Sequence, residues 1–202
     1  RSREDARLRI VVAASALLPN YGDVLALMAR DNFSYDAKIV MTLEGGNPIA
    51  MAKTAGIGIT EFATAFDNLQ PDLVVVRGDR YEVLSAVIAA AYLNIPVAHI
   101  EGGDLSGTID ESVRHAITKL AHIHFATNEE AKMRILRMGE QPDYVFNVGC
   151  PEVEFAAHNN FSVSDEFINT LGVGEVIDVG KPFILVMQHP VTTEYEDSLC
   201  QV

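Results

Sequence analysis

The chain has 202 residues, 49% hydrophobic and 21% charged, which is enough apolar material for one large domain or one domain and part of another. Its formal net charge of −13 argues against a nucleic-acid or membrane-surface partner, because both need a basic surface. The sequence has no apolar run near the roughly 18 to 20 residues that span a bilayer. Its two cysteines make neither a disulfide framework nor a metal cluster, so we expect a reduced, cytoplasmic setting.

Short apolar runs alternate with helical patterns along most of the chain. The sequence predicts strands at 8–13, 37–41, 72–76, 95–100, 125–127, 144–148 and 183–187. It predicts helices at 21–30, 82–93, 109–123 and 129–138, with one more that carries apolar positions 59, 62, 66 and 69 and ends before Pro71. The β-branched run at 72–76 is typical of a central strand covered on both faces. This alternation predicts an α/β fold with a doubly wound parallel sheet.

Polar and glycine residues follow the predicted strands. They stand at 77–80, 101–103, 128, 149–151 and 188–190. Right-handed crossovers bring all these loops to one edge of the sheet, where doubly wound proteins bind ligands. The pattern locates a site without naming a reaction.

Asp79 lies between two arginines, Arg77 and Arg80, directly after a predicted strand. It reads equally as the N-cap of a helix that starts near Tyr81 or as a carboxylate held at the crevice beside an arginine. Both can hold at once.

Glu101 comes one residue after a strand, where a charged side chain rarely serves packing, so we favour a functional role. Gly102 and Gly103 would let the backbone approach a ligand closely. His99, inside the strand, is as consistent with a hydrogen-bonded core residue as with a site residue.

A capping-box pattern opens the next helix, with Thr108 as N-cap and Glu111 at its third position. Asp110 is left over, and Arg114 follows it one turn later on the same face. The pair is either a surface ion pair or a site carboxylate oriented by an arginine. By itself, the spacing favours the surface pair.

The remaining candidates carry weaker signals. His122 and His124 have no further ligand at metal spacing, so we expect no metal site. His189, between a strand and a proline, is a candidate for contacting phosphate. Met133, Ile135 and Leu136 fit either a homo-oligomer contact or packing on the sheet.

Five segments in register resemble the UDP-N-acetylglucosamine 2-epimerase family, most closely its hydrolysing branch in sialic- and nonulosonic-acid synthesis. They are residues 77–82, 94–103, 106–122, 146–151 and 188–193. The resemblance implies the N-terminal half of a two-domain, glycosyltransferase-B-type fold with Rossmann-like domains. It places an N-terminal domain at 1–178 and the start of a second nucleotide-binding domain at 179–202, with parts of the family's chain missing at both ends.

The resemblance also implies a reaction and its residues. UDP is eliminated, C2 of the sugar is inverted, and N-acetylmannosamine and UDP are released, with no cofactor. The implied catalytic residues are Asp79, Glu101, Asp110 and Arg114, and the implied substrate-binding residues are Arg80, Gly102, Gly103 and His189. The expected partners are a UDP-sugar and further copies of the chain, as a dimer or tetramer.

Two alternatives stay open. The same chemistry could act on a UDP-linked 2,4-diacetamido sugar of the legionaminic-acid type. The chain could instead be a non-catalytic sugar-nucleotide-binding domain, although a pure binding module needs no acid/base carboxylates.

Overall fold

The computed structural model describes residues 5–45, 47–159 and 162–187. The strands in these residues are β1 Val11–Ala13, β2 Ala37–Ile39, β3 Val74–Arg77, β4 Val97–Ile100, β5 Ile123–Ala126 and β6 Val145–Asn147. The helices are α1 Val24–Arg30, α2 Pro48–Leu69, α3 Tyr81–Tyr92, α4 Ile109–Leu120, α5 Glu129–Arg137, α6 Pro151–His158 and α7 Asp165–Leu171. Short 3-10 helices lie at Ala14–Leu17, Pro19–Tyr21 and Pro142–Tyr144.

All of these strands pair in parallel, as the alternation of strands and helices predicts. β1 pairs with β2, and β3, β4, β5 and β6 form a four-stranded sheet in chain order. A helix joins each strand of the larger sheet to the next. The α/β fold class is therefore confirmed, and the loops after these strands share one edge of the sheet.

The helix boundaries follow the capping residues in the sequence. Asn47 caps α2 by accepting a hydrogen bond from the Ala50 amide at 2.9 Å, and Pro48 occupies the first helical position. Asn128 caps α5 in the same way, through the Ala131 amide at 2.8 Å. Three predicted helices are shorter in the structure: α1 begins at Val24, α5 ends at Arg137, and α4 ends at Leu120 because Ala121 is extended.

The main core lies where α2, α3 and α4 cover one face of the sheet. Its fully buried members include Val87, Ala90, Val97 and Ile117. Burying a Val or Ile side chain completely stabilises a fold by roughly 1.5 to 3 kcal/mol. This packing fixes α3 and α4 against the strands whose loops carry the candidate site.

The predicted central position of residues 72–76 is wrong for the described sheet. β3 lies at its edge and pairs only with β4 among the described strands. The Val75 side chain is 58% exposed, because it projects from the face opposite the core and no described element covers it. A run of β-branched residues indicates a strand, but it does not show whether that strand is central or at the edge of a sheet.

Helix α5 resolves the alternative at 133–136. Ile135 is fully buried in a small second cluster with Ala126 and Val145, and Leu136 packs against it. Met133 remains 42% exposed. Packing on the sheet therefore explains why Ile135 and Leu136 are apolar. The homo-oligomer remains a prediction.

The described residues from 150 onward belong to a second unit of the chain. Its described part contains α6 and α7, and Ser164 caps α7 through the Phe167 amide. The strand predicted at 183–187 is wrong, because these residues have no strand pairing in the described part of the chain and their side chains are exposed. The domain boundary after residue 178 remains a prediction. Within the described residues, no helix is both long and apolar enough to cross a membrane.

Candidate active site

Two loops start side by side at the carboxyl ends of β3 and β4. The Gly78 amide donates to the Ile100 carbonyl at 3.1 Å, and the Glu101 amide donates to the Phe125 carbonyl at 3.0 Å. The strand ladder therefore continues one residue into each loop. Asp79 on one loop and Glu101 on the other are thus carried by adjacent, hydrogen-bonded backbone.

Arg114 of α4 ties the two loops together. One of its terminal nitrogens donates to the Asp79 carboxylate, and the other donates to the Asp104 carbonyl at 2.8 Å. The Arg114 side chain is 12% exposed and that of Asp79 is 21% exposed. A partly desolvated charge pair of this kind is stronger than one on the surface, because water screens it less.

This contact decides two open questions about Asp79 and Arg114. Arg80 occupies the N-cap position of α3, so the N-cap interpretation of Asp79 is wrong. The Asp79 carboxylate turns to Arg114 instead. The surface ion pair of Arg114 with Asp110 is also wrong as the main contact, since the two terminal nitrogens of Arg114 bond to the Asp104 carbonyl and the Asp79 carboxylate.

Glu101 has an arginine of its own. Arg77, the last residue of β3, donates to the Glu101 carboxylate at 2.8 Å across the sheet edge. The Glu101 side chain remains 20% exposed. The Glu101 backbone has a φ of +65°, a left-handed conformation that costs a residue with a Cβ about 1 to 2 kcal/mol. Such strain at the end of a strand is common where a side chain must be aimed for function.

Asp110 lies in the first turn of α4, one turn before Arg114. Its carboxylate accepts from the Thr108 hydroxyl at 3.4 Å. The pKa of Arg80 is raised: burial opposes its charge, but the carboxylates of Glu82, bonded at 3.2 Å, and of Asp110 outweigh that cost. Arg80 therefore lies within the field of Asp110 and remains cationic.

The capping box at 108–111 forms only in part. Thr108 caps α4, but its hydroxyl accepts from the Asp110 amide at 3.3 Å, one position earlier than predicted. Glu111 accepts from the amides of Ser106 and Gly107 at 2.9 and 2.8 Å, and these bonds lower the pKa of its carboxyl group. Glu111 thus holds the loop before α4 rather than the amide of Thr108.

Gly102 and Gly103 are required by close packing inside the loop. A Cβ on Gly102 would lie 2.9 Å from the Thr118 hydroxyl oxygen. A Cβ on Gly103, whose φ is +83°, would lie 2.4 Å from the Ala131 carbonyl oxygen. Arg134 also donates to the Gly103 carbonyl. The glycines thus let the loop approach α4 and α5, and a role in binding substrate remains a prediction.

Asp104 is a loop residue that the sequence did not single out. Its carboxylate accepts from the side chains of Thr127 and Asn128 at 3.2 and 3.3 Å, and its carbonyl accepts from Arg114. These bonds fasten the loop after β4 to the turn after β5. Only its place in a loop after a strand could have marked Asp104 in advance.

Among the predicted site residues, the structure joins Asp79 and Arg114 by an ion pair and places Asp110 one turn before Arg114 in α4. Arg80 is at the N-cap of α3 and pairs with Glu82, and Glu101 is on the neighbouring loop. His189 lies outside the described residues. Sequence reasoning missed the contact between Arg77 and Glu101, although the position of Arg77 at the end of a strand was visible.

Comparison with known proteins identifies the family of this chain. The family model for UDP-N-acetylglucosamine 2-epimerase matches residues 1–202. The chain belongs to this family. It is 39% identical over 193 residues to a Legionella pneumophila protein named UDP-N,N'-diacetylbacillosamine 2-epimerase (hydrolyzing). The aligned region covers 96% of this chain and 50% of that relative. It is 32% identical over 190 residues to the Neisseria meningitidis UDP-N-acetylglucosamine 2-epimerase, and this aligned region covers 94% of this chain and 48% of that relative.

Solved structures of UDP-N-acetylglucosamine 2-epimerases share the fold of this family member. The Methanocaldococcus jannaschii structure aligns with a TM-score of 0.59 at 25% identity, over 70% of this chain and 37% of the other. The Neisseria meningitidis structure, bound to UDP-GlcNAc, aligns with a TM-score of 0.58 at 22% identity, over 68% and 37%. The chain thus spans about half the length of the curated relatives it matches.

The backbone of Glu101 supplies a first prediction. We expect Glu101→Gly to be more stable than Glu101→Ala by about 1 kcal/mol, because both lose the same carboxylate but only alanine keeps the left-handed strain. Urea unfolding of the two variants measures the difference. Glu111→Gly and Glu111→Ala in helix α4 serve as the matched control, and their order should be reversed. Equal stabilities for the Glu101 pair would show that the backbone there is unstrained.

The packing of Gly103 supplies a second prediction. Gly103→Ala should lower the free energy of unfolding by about 2 to 4 kcal/mol, since it adds a clash with Ala131 to the cost of a left-handed alanine. Gly107→Ala is the control, because Gly107 has a φ of +71° but open space around it among the described residues. It should lose only about 1 to 2 kcal/mol. Equal losses would contradict the close approach of the loop to α5.

Proposed function

We propose that this protein is a hydrolysing UDP-N-acetylglucosamine 2-epimerase, whose acid/base carboxylates this chain carries. The observation that carries the proposal is the pairing of two carboxylates at adjacent strand ends, each with its own arginine. Asp79 is held by Arg114 and Glu101 by Arg77. Membership of the family supports the substrate class.

The proposed reaction has two stages. First, a proton leaves C2 of the sugar while the bond from C1 to the diphosphate breaks, which gives UDP and a 2-acetamidoglucal. Water then adds across the double bond: its oxygen goes to C1, and a proton arrives at C2 on the opposite face. The products are UDP and N-acetylmannosamine, and no electrons are exchanged with a cofactor. This chemistry requires neither a metal nor a redox group.

Proton transfer on both faces of a sugar ring needs more than one acid/base group. Asp79, Glu101 and Asp110 supply three carboxylates from two loops and one helix start. General acid/base groups contribute roughly 10² to 10⁴ in rate each. A carboxylate paired with arginine is held in one orientation, as a group that moves a proton at C2 must be.

The departing UDP carries negative charge that must be stabilised. Arg80, which remains cationic beside Glu82 and Asp110, and His189 are the proposed phosphate contacts. The backbone of Gly102 and Gly103 is the proposed neighbour of the sugar. In this proposal the phosphates meet cationic side chains at the site, although the chain as a whole has a net charge of −13.

A second candidate substrate is a UDP-linked 2,4-diacetamido sugar. The name of the relative that is 39% identical favours it, since that protein is described as a hydrolysing 2-epimerase of UDP-N,N'-diacetylbacillosamine. The chemistry at C1 and C2 is the same, and only the group at C4 differs. We further propose that the enzyme works as a homo-oligomer, a dimer or a tetramer, in nonulosonic- or sialic-acid synthesis.

Product analysis of the full-length enzyme tests the proposed function. With UDP-N-acetylglucosamine in deuterated water, we expect free UDP and N-acetylmannosamine with deuterium at C2, read by NMR. The 2,4-diacetamido UDP-sugar is assayed in parallel, and faster release of UDP from it would select the second candidate. Recovery of UDP-N-acetylmannosamine would contradict the hydrolysing reaction. Tight binding of both sugars without turnover would indicate a non-catalytic sugar-nucleotide-binding domain.

The role of Glu101 gives a separate prediction. Glu101→Gln should lower kcat by about 10²-fold or more, because the amide cannot accept or deliver the proton. Affinity for UDP, measured by calorimetry, should be unchanged because the hydrogen-bonding shape is kept. Glu129→Gln, at the first position of α5, is the matched control and should keep full activity. Full activity of Glu101→Gln would remove this carboxylate from the mechanism.

A further inference from the structure

His99 is a buried titratable residue that the proposed reaction does not use. It lies in β4 with 0% of its surface exposed. In register it stands between Val76 of β3 and His124 of β5. An imidazole buried this deeply in a sheet needs partners for both ring nitrogens, or it costs stability.

Both ring nitrogens of His99 have partners, and they come from different elements. Nε2 lies 2.9 Å from the carbonyl oxygen of Gly78, in the turn after β3. Nδ1 lies 3.2 Å from the hydroxyl oxygen of Thr118, in α4. The imidazole thus bridges the two segments that carry the ion pair of Asp79 and Arg114. Gly78 precedes Asp79, and Thr118 lies one helical turn after Arg114.

We propose that His99 is a positioning residue for catalysis, which holds the turn of Asp79 at a fixed distance from the helix of Arg114. The proposal rests on the proposed function, in which Asp79 is an acid/base group. His99 does not touch the sugar in this scheme. It acts through the Gly78 carbonyl on one side and through Thr118 on the other.

The tautomer of the ring follows from its partners. Burial lowers the pKa of His99 to about 4, so the ring is neutral near pH 7 and carries one N–H. The Gly78 carbonyl can only accept, so the hydrogen must be on Nε2. Nδ1 then accepts from the Thr118 hydroxyl, which also lies 3.0 Å from the Arg114 carbonyl and can donate to only one of them at a time.

The turn at Gly78 depends on these hydrogen bonds more than on packing. Its φ is +81°, and among the described residues nothing lies within 4 Å of the place where a Cβ would stand. Its amide donates to the Ile100 carbonyl and its carbonyl accepts from His99, so β4 holds both polar groups of Gly78. Loss of the His99 bond would leave the carbonyl without that donor and Asp79 less firmly placed.

Gly102 shields the bridge from the other side. A Cβ there would lie 3.0 Å from Nδ1 of His99 and 2.9 Å from the Thr118 oxygen. The loop that carries Glu101 therefore packs directly on the bridge between His99 and Thr118. The same imidazole lies beneath both loops that carry proposed catalytic carboxylates.

The test compares His99→Gln with His99→Leu in the full-length enzyme. Glutamine keeps an N–H donor near the position of Nε2, whereas leucine fills similar space without a donor. We expect His99→Leu to lower kcat by about 10²-fold with little change in KM, because a small displacement of the Asp79 carboxylate slows the chemical step. His99→Gln should keep most of the wild-type kcat. Melting temperatures of both variants accompany the kinetics.

A double-mutant cycle separates positioning from general damage. In an Asp79→Asn background, the kcat loss caused by His99→Leu should shrink, because the carboxylate that it positions is already gone. Full kcat in His99→Leu, equal losses in folded His99→Leu and His99→Gln, or additive losses in the cycle would each overturn the proposal. A wild-type enzyme that releases no UDP from either sugar would instead overturn the proposed function.

Nitrogen NMR of the wild-type enzyme keeps the proposal falsifiable if His99→Leu fails to fold. The His99 ring should show a protonated Nε2 and an unprotonated Nδ1 near pH 7. Thr118→Val, which keeps the shape of threonine but removes its hydroxyl, should shift the Nδ1 signal and lower kcat relative to the wild type. The opposite tautomer in the wild type would overturn the proposal.

Discussion

The arrangement of the candidate site depends on one partly buried guanidinium. Arg114 projects from α4 to the Asp79 carboxylate in the turn after β3 and to the Asp104 carbonyl in the loop after β4. A planar fork with two donor ends suits this task, because it fixes direction as well as distance. Lysine would supply the charge but not two simultaneous, oriented bonds. A single side chain of α4 therefore bonds to both loops of the candidate site.

The sheet supplies the rigid frame for that contact. Parallel ladder bonds continue into both loops through Gly78 and Glu101, so the carboxylates begin from fixed backbone. His99 adds a bond from inside the sheet, and Asp104 fastens the second loop to the turn after β5. Acid/base chemistry on a sugar ring needs groups held to within a fraction of an ångström, which such a frame provides.

One face of the described four-stranded sheet carries exposed apolar side chains. Val75 and Phe146 project from the sheet face opposite the main core and are 58% and 44% exposed. The chain spans about half of the curated relatives it matches. The proposed acid/base carboxylates Asp79, Glu101 and Asp110 are all in the first unit of the chain. The proposed phosphate contact His189 is among the last residues of the given sequence.

The sequence by itself determined the parallel α/β fold, the order of most elements, and the loops after β3 and β4 as the place of the site. It could do so because periodicity, capping residues and turn glycines act locally. Only the tertiary structure decided that Arg114 pairs with Asp79 rather than Asp110, that β3 is at the edge of the sheet formed by the described strands, and that Arg77 pairs with Glu101. These contacts join residues 24 to 35 positions apart, where the geometry of packing, and not local preference, selects the partner.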